Sequence, residues 1–180
     1  MRYFTSDTHF GHTKVIEYCR RPFASVEEMD AEMIRRWNER VKPEDEIYVL
    51  GDFCWRGPAF AESIIKQLLG KKYLVMGNHD MHIKRNRLMG MGFSHAFLPN
   101  GTMIHISNIP VLLSHFPFKG FEDDDRKFHE YQYEDDGGWL LHGHVHCAWK
   151  QKGKMINVGV DQWNYAPVSE AEISALIGGK

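Results

Sequence analysis

The stretch Gly77-Asn78-His79-Asp80 places an amide, an imidazole and a carboxylate in one short turn. It follows the apolar run 72–76, a pattern that predicts a short buried strand. Gly77 permits a sharp turn at the carboxyl end of that strand, which is where open α/β sheets place their ligands. Together, these side chains can bind a hard cation, move a proton and orient the residue that moves it.

Four other stretches share this layout, in which a hydrophobic strand ends in a potential metal ligand. The first of these strands ends in the pair Asp7 and His9, and the second ends in Asp52. The third ends in His115, and the fourth in the pair His144 and His146. Each has a structural alternative, since an aspartate can cap a helix, an asparagine can favour a turn, and a lone histidine is more often structural. Five such endings in one chain nevertheless indicate convergence on one site.

The spacing within two of these motifs makes a further prediction. His144 and His146 are two positions apart, as are Asp7 and His9. Alternate residues of an ideal strand point to the same side, so one short segment can present both members of a pair. Separately from these pairs, we predict a strand over His146–Gln151 that continues the sheet. His12 can face substrate or pack on the start of the next helix, and both interpretations stay open.

The order of these motifs resembles the calcineurin-like metallophosphoesterase superfamily. The motifs are Asp-x-His, Gly-Asp, Gly-Asn-His-Asp, a lone histidine and Gly-His-x-His, and they span residues 7–146. The resemblance implies an α/β fold, a four-layer sandwich of two mixed β-sheets flanked by helices. It also implies a dinuclear metal-dependent phosphoesterase that hydrolyses phosphate esters, with phosphodiesters expected, by attack of a metal-bound hydroxide.

The same resemblance implies a set of metal ligands around two divalent ions. Asp52 bridges the ions. The remaining ligands are Asp7, His9 and His146 at one ion, and Asn78, His115 and His144 at the other. Because imidazole, carboxylate and amide ligands occur here without thiolate, we expect manganese, with iron, zinc or nickel as alternatives.

Three further residues are expected to act in catalysis. By the resemblance, His79 contacts the scissile phosphate and protonates the leaving oxygen, while Asp80 fixes the tautomer of His79 or caps a helix. The stretch 51–57 matches a phosphate-binding arginine motif of protein Ser/Thr phosphatases, which makes Arg56 a candidate fork for phosphate oxygens. Trp55 departs from that motif, because those enzymes carry an aspartate there. A solvated surface arginine is the alternative for Arg56.

Composition limits the classes of partner. The chain has 180 residues, enough for the single domain expected over 1–180, and 22 basic against 24 acidic side chains give a net charge of −2. This charge offers no general attraction to nucleic acid or membranes. The resemblance implies a phosphate-ester substrate, for which a nucleotide is one option. Three cysteines without patterned spacing favour a cytoplasmic protein.

The alternatives to a phosphodiesterase are a phosphomonoesterase, a nuclease and a weakly catalytic binding module. The oligomeric state stays open, with a dimer as one option.

Strands and helices alternate in the first half of the chain, and strands dominate the second half. A helix over Ser25–Val41 is predicted by a capping box at Ser25 and Glu28, and its methionines and Trp37 are expected in the core. Asn100-Gly101 predicts a hairpin turn. The acidic segment 120–138 follows no clear period, which indicates a surface loop, with a lid or an oligomer contact as the alternative.

Overall fold

The first β-sheet has four parallel strands and one antiparallel edge strand in the computed structural model, which describes residues 1–121 and 126–178. Its strands, in spatial order, are Val168–Ser169 (β10), Arg2–Thr5 (β1), Glu46–Val49 (β2), Lys71–Val75 (β3) and His95–Phe97 (β4). Thr5 pairs with Val49, and Val49 pairs with Leu74. The carboxyl ends of β1, β2 and β3 therefore lie at the same edge of the sheet.

The second β-sheet is also mixed. Its strands, in spatial order, are Thr102–Ile106 (β5), Ile109–Leu113 (β6), Trp139–His142 (β7), Met155–Asn157 (β9) and Gln151–Lys152 (β8). β6, β7 and β9 are parallel to one another, while β5 and β8 are antiparallel to their neighbours. This arrangement brings the carboxyl ends of β6 and β7 to one edge.

Among the described residues, five α-helices flank the sheets. They are Thr13–Tyr18 (α1), Val26–Arg40 (α2), Pro58–Ile65 (α3), Arg85–Gly90 (α4) and Glu170–Gly178 (α5). Within the described part of the chain, none of the helices is both long enough and apolar enough to cross a membrane.

Two hydrophobic clusters hold the layers together. One lies between the sheets and joins Phe4 and Val75 of the first sheet to Leu113 and Leu141 of the second. The other packs helices on the outer face of the first sheet, where Ile47 and Leu74 are fully buried. Since buried apolar area is the main source of folding stability, the first cluster fixes how the two sheets lie together and the second holds the helices on the first sheet.

The predicted capping box and core face of α2 are present. Glu28 donates its backbone N–H to Ser25 Oγ at 3.2 Å. Met29, Met33 and Trp37 follow at helical spacing and are at most 2% exposed. Their spacing places them on one face, which packs in the same cluster as β2 and β3.

The predicted hairpin at Asn100-Gly101 is wrong, because that turn connects β4 in one sheet to β5 in the other. The hairpin between β5 and β6 turns instead at Ser107 and Asn108, whose φ angles are 49° and 65°. Two consecutive positive φ angles suit the tight turn of a two-residue hairpin. Asn100-Gly101 therefore marks a turn, but one that changes sheets.

The acidic segment 120–138 is described only in part, since residues 122–125 lie outside the described residues. Residues Arg126–Tyr131 form a 3₁₀-helix. Phe128 and Tyr131 stack on the buried ring of Phe116, with ring centroids 5.3 and 6.2 Å apart. The aromatic side chains of this segment therefore anchor it to the protein, beside the lone-histidine motif at His115.

Candidate metal centre

All the predicted ligands follow strands whose carboxyl ends converge between the two sheets. Asp7 and His9 follow β1, Asp52 follows β2, Asn78 follows β3, His115 follows β6, and His144 and His146 follow β7. Backbone hydrogen bonds hold these turns together: Asp7 N–H donates to the carbonyl of Gly51 at 3.1 Å, and His9 N–H to that of Asp52 at 3.0 Å. The strand-end turns thus form one connected structure.

The backbone conformation of these turns differs from the expected one. Five predicted ligands have positive φ angles between 46° and 68°: Asp7, His9, Asp52, His144 and His146. Residues 143–150 do not form the predicted strand over His146–Gln151, and only Gln151 and Lys152 pair as β8. Strand alternation therefore does not set the directions of these side chains, because the residues adopt left-handed backbone conformations. Such strain is tolerated where the surroundings fix it, often at functional sites.

Asp52 lies at the centre of the cluster, with 2% of its surface exposed. Its Oδ2 atom lies 3.5 Å from His9 Nε2 and 3.6 Å from His115 Nε2. Its Oδ1 atom accepts a hydrogen bond from His79 N–H at 2.9 Å. Burial, followed by the charges of Asp80 and Asp7, raises the pKa of Asp52 well above its usual value. A nearby cation would oppose this shift and favour the carboxylate.

Asp7, His9 and His146 each place one ligand atom in a group whose atoms lie within 4.8 Å of one another. His9 is 2% exposed, and both of its ring nitrogens lack a hydrogen-bond partner. A buried polar atom without a partner is costly. Burial lowers the pKa of His9 well below its usual value, which keeps the imidazole neutral and a lone pair available. These donors fit a metal ion.

The second predicted group has matching chemistry. His115 Nδ1 lies 2.7 Å from the carbonyl oxygen of Leu50, and burial lowers the pKa of this histidine well below its usual value. A neutral ring that donates from Nδ1 presents a lone pair at Nε2. That atom lies 2.9 Å from Asn78 Oδ1, which is also 3.1 Å from His144 Nδ1. The lone pair of His115 Nε2 therefore faces the amide oxygen of Asn78, as two ligands of one cation do.

Two glycines allow the chain to approach these carboxylates closely. A Cβ atom on Gly77 would lie 2.3 Å from Asp52 Oδ1, and one on Gly143 would lie 2.4 Å from Asp7 Oδ2. Neither glycine has a positive φ angle. Their role is therefore to leave space for the ligand carboxylates.

Asp161 and Arg21 support the cluster, although sequence reasoning gave them no role. Asp161 Oδ2 lies 3.3 Å from His146 Nδ1. Arg21 donates to both oxygens of Asp161, at 2.8 and 2.9 Å, and to the carbonyl of Asp7 at 2.7 Å. Burial lowers the pKa of His146, but Asp7 and Asp161 outweigh it and raise that pKa to about 11. The loop position of Asp161 after a strand was the available signal.

Asp80 does not orient His79 as predicted. Its Oδ2 atom accepts hydrogen bonds from the backbone N–H groups of Asp52 at 2.7 Å and Gly77 at 2.9 Å. Burial raises the pKa of Asp80 to about 6, against the effect of these bonds. Because its carboxylate connects the turns after β2 and β3, Asp80 positions Asp52 rather than the imidazole of His79.

His79 lies at the open side of the cluster, with 38% of its side chain exposed. Its Nε2 atom is 3.8 Å from Asp52 Oδ2, and its ring is edge-on to His9 with centroids 5.4 Å apart. Burial, followed by neighbouring histidines, lowers the pKa of His79 to about 4. The structure thus places the imidazole of His79 where it can contact a molecule bound at the candidate metal centre.

Arg56 is not brought to the cluster. Its guanidinium lies over the ring of Phe60, at 5.2 Å from the centroid, and its aliphatic stem lies beside Gly11. Trp55, the residue before it, instead lines a cavity next to the ligands. The predicted phosphate fork is therefore not formed in this structure.

Two cavities adjoin the centre and share His146. The Trp55 cavity, of about 370 Å³, is lined by His9 and His79 as well as Trp55. The Trp149 cavity, of about 570 Å³, is lined by His144 and Trp149. A molecule held at the centre can therefore extend to two sides.

The fold and the ligand set define a class of protein. The sequence model of the calcineurin-like phosphoesterase family matches residues 3–148, and the chain belongs to that family. The predicted superfamily and the sandwich of two mixed sheets flanked by helices are confirmed. Membership implies a metal-dependent hydrolase that acts on phosphoester bonds.

Three relatives are similar along nearly the whole chain. An uncharacterized protein of Methanocaldococcus jannaschii is 33% identical, covering 97% of this chain and 90% of that protein. The gene 66 protein of Mycobacterium phage L5 is 32% identical, covering 97% and 93%. The crystal structure of a protein of unknown function from Aquifex aeolicus is 32% identical, with a TM-score of 0.73 and 98% of each chain covered. The similarity extends beyond residue 148, into the part that contains Asp161.

Proposed function

We propose that this protein hydrolyses phosphodiesters at a centre of two divalent metal ions that share Asp52. Two such ions supply a nucleophile at neutral pH and neutralise the charge that develops on the phosphoryl group. The observation that carries the proposal is the set of facing electron-rich atoms. His115 Nε2 lies 2.9 Å from Asn78 Oδ1 and 3.6 Å from Asp52 Oδ2. A cation among these atoms turns their repulsion into coordination.

The residues divide into two ligand groups that meet at Asp52. One group consists of Asp7, His9 and His146, and the other of Asn78, His115 and His144. Asp52 belongs to both, because its Oδ2 atom lies 3.5 Å from His9 Nε2 and 3.6 Å from His115 Nε2. His79, on the open side, contacts the phosphate of the substrate and donates a proton to the leaving oxygen.

The two cavities support a diester over a monoester. A phosphodiester has two organic groups on its phosphorus, whereas a monoester has one. The Trp55 cavity and the Trp149 cavity meet at the metal ligand His146 and extend from it along different sets of residues. A diester at the centre can place one organic group in each.

The remaining parts of the proposal concern metal, location and organisation. Manganese suits a site of imidazole, carboxylate and amide ligands without thiolate. A cytoplasmic location is supported by three cysteines that are all free. A single domain over residues 1–180 is supported by the hydrophobic cluster that joins the two sheets and α5.

The test is a substrate screen on purified protein that has been stripped of metal and reloaded separately with manganese, iron, zinc or nickel. We expect the manganese form to hydrolyse phosphodiesters in a panel that also contains phosphomonoesters, cyclic nucleotides and short nucleic acids. A chelator should abolish the activity, and added metal should restore it.

Hydrolysis that persists after verified metal removal would contradict the metal-dependent mechanism. Turnover of monoesters alone would contradict the diester assignment. Binding of phosphate esters without turnover by the fully loaded protein would favour the alternative of a binding module.

A further inference from the structure

The Trp55 cavity has two chemically different kinds of lining residue. Candidate metal ligands and His79 line it on the side of the centre, and Trp55, Tyr18 and Lys14 add aromatic rings and a positive charge. Trp55 and Tyr18 are 49% and 68% exposed. Exposed aromatic side chains beside a catalytic centre are a means of holding an organic group whose phosphate is bound at that centre.

Trp55 is held in a defined orientation. Its indole stacks on the imidazole of His12 with ring centroids 4.0 Å apart and an interplanar angle of 9°. Its backbone N–H donates to the carbonyl of Phe10 at 2.9 Å, and His12 is only 9% exposed. Since His12 covers one face of the indole, the exposed area lies on the other face and the edges. A preorganised aromatic surface loses little freedom when a ligand binds.

The stack is directly connected to the catalytic side of the centre. The ring of Trp55 lies 4.8 Å from that of His79, measured between centroids, and His79 Nε2 lies 3.8 Å from Asp52 Oδ2. Only the imidazole of His79 therefore separates the indole from a phosphate bound at the candidate metal ligands. Lys14, which also lines the cavity, adds a positive charge for further anionic groups.

We infer that Trp55 selects substrates whose organic group carries a flat aromatic ring, such as the base of a nucleotide, by stacking that ring in this cavity. The inference rests on the proposed function, because the phosphate must be bound at the centre. Stacking of a base on an aromatic side chain tolerates any base, since every base has a flat π-face. The contact therefore selects for a ring and not for its identity.

The test compares two substrates with the same leaving alcohol: the methyl ester of adenosine 5′-phosphate and the methyl ester of ribose 5-phosphate. If the protein proves to hydrolyse only monoesters, the parent monophosphates replace them. We expect manganese-loaded protein to prefer the nucleotide, and Trp55→Ala to reduce that preference roughly 5- to 150-fold, the range of base stacking energies. Trp55→Phe should retain most of it. Met103→Ala, which removes an exposed side chain outside both cavities, is the control.

If Trp55→Ala slows hydrolysis of both substrates equally, the inference is overturned, and the role of Trp55 is to support His12 and His79. A wild-type protein without preference for the nucleotide would also overturn it. If no ester is hydrolysed, the proposed function fails, and equilibrium dialysis of adenosine 5′-phosphate against ribose 5-phosphate decides the inference separately. Tighter binding of the nucleotide, lost in Trp55→Ala, supports it, and equal binding contradicts it. The stacked ring can belong to a free nucleotide or to the end of a nucleic acid. Comparing the binding of a mononucleotide with that of a dinucleotide distinguishes these two sources.

Discussion

His146 Nδ1 lies 3.3 Å from a carboxylate oxygen of Asp161. The carboxylate is held in turn by Arg21, whose guanidinium is almost fully buried and also contacts the backbone of Asp7. A histidine fixed through one nitrogen presents the other in a defined direction. Arg21 and Asp161 therefore control where the second ring nitrogen of His146, the candidate metal-binding atom, points.

Asp161→Asn should lower the affinity of one metal site about 10- to 100-fold, because the loss of a carboxylate behind a ligand histidine weakens its orientation and basicity. The measurement is a competition titration against a chromogenic chelator. Glu44→Gln removes the same charge from an exposed side chain just before β2, at the opposite end of the strand, and serves as the control. Unchanged affinity in Asp161→Asn would show that the Asp161 contact does not support the metal.

Gly143→Ala should disturb metal binding through a steric clash alone. The added Cβ would lie 1.9 Å from Ser6 Oγ and 2.4 Å from Asp7 Oδ2, so the Asp7 carboxylate must shift. Gly90→Ala is the matched control, because its Cβ meets nothing within 4 Å. We expect a loss of bound metal only in Gly143→Ala, measured by elemental analysis. Full metal content in both variants would mean that the Gly143 turn can move without harm.

The convergence of the candidate ligand residues could be predicted from the sequence because each follows a recognisable strand. Their backbone conformation could not, since positive φ angles at Asp7 and His9 depend on hydrogen bonds to the turn after β2, over 40 residues away. The contact between Arg21 and Asp161 spans 140 positions, and no local pattern indicates it. The role of Asp80 could not be predicted for a similar reason. One of the backbone N–H groups that its carboxylate binds belongs to Asp52, in the turn after β2.

The core of α2 was predictable for the opposite reason. Its capping residues are three positions apart, and Met29, Met33 and Trp37 recur at the period of one helix face. Local rules suffice for such an element. The hairpin was missed because Asn-Gly is a signal for a turn, and it does not specify which strands the turn joins.

His79→Asn should keep both metals and slow catalysis about 10²- to 10⁴-fold for an alkyl ester, if the imidazole donates a proton to the leaving oxygen. The pKa of this ring is lowered to about 4, but a bound anionic ester favours the imidazolium and opposes that shift. A nitrophenyl ester should lose less, because its leaving oxygen needs no proton. Equal losses on both esters, with metal retained, would leave His79 as a phosphate contact only.

Asp30→Asn should change how stability depends on pH. Burial raises the pKa of Asp30 to about 6 from 3.8, although the carboxylate accepts a bond from Gly11 N–H. Between these values the unfolded chain has lost the proton and the folded chain keeps it, so stability falls as pH rises. Between about pH 4 and 6.5, the free energy of unfolding of the wild type should therefore fall by on the order of 1–3 kcal/mol relative to that of the variant. Urea unfolding with chelator present measures this, and parallel pH curves for both proteins would refute it.

Asp52→Asn tests the shared-ligand centre most directly. The proposed role of Asp52 as a ligand of both ions rests on the oxygen that lies 3.5 Å from His9 and 3.6 Å from His115, one from each candidate ligand group. An amide carries no charge and would hold two cations less well than a carboxylate. Elemental analysis should find two divalent ions per wild-type chain and at least one fewer in folded Asp52→Asn. Retention of both ions at wild-type affinity would contradict the assignment.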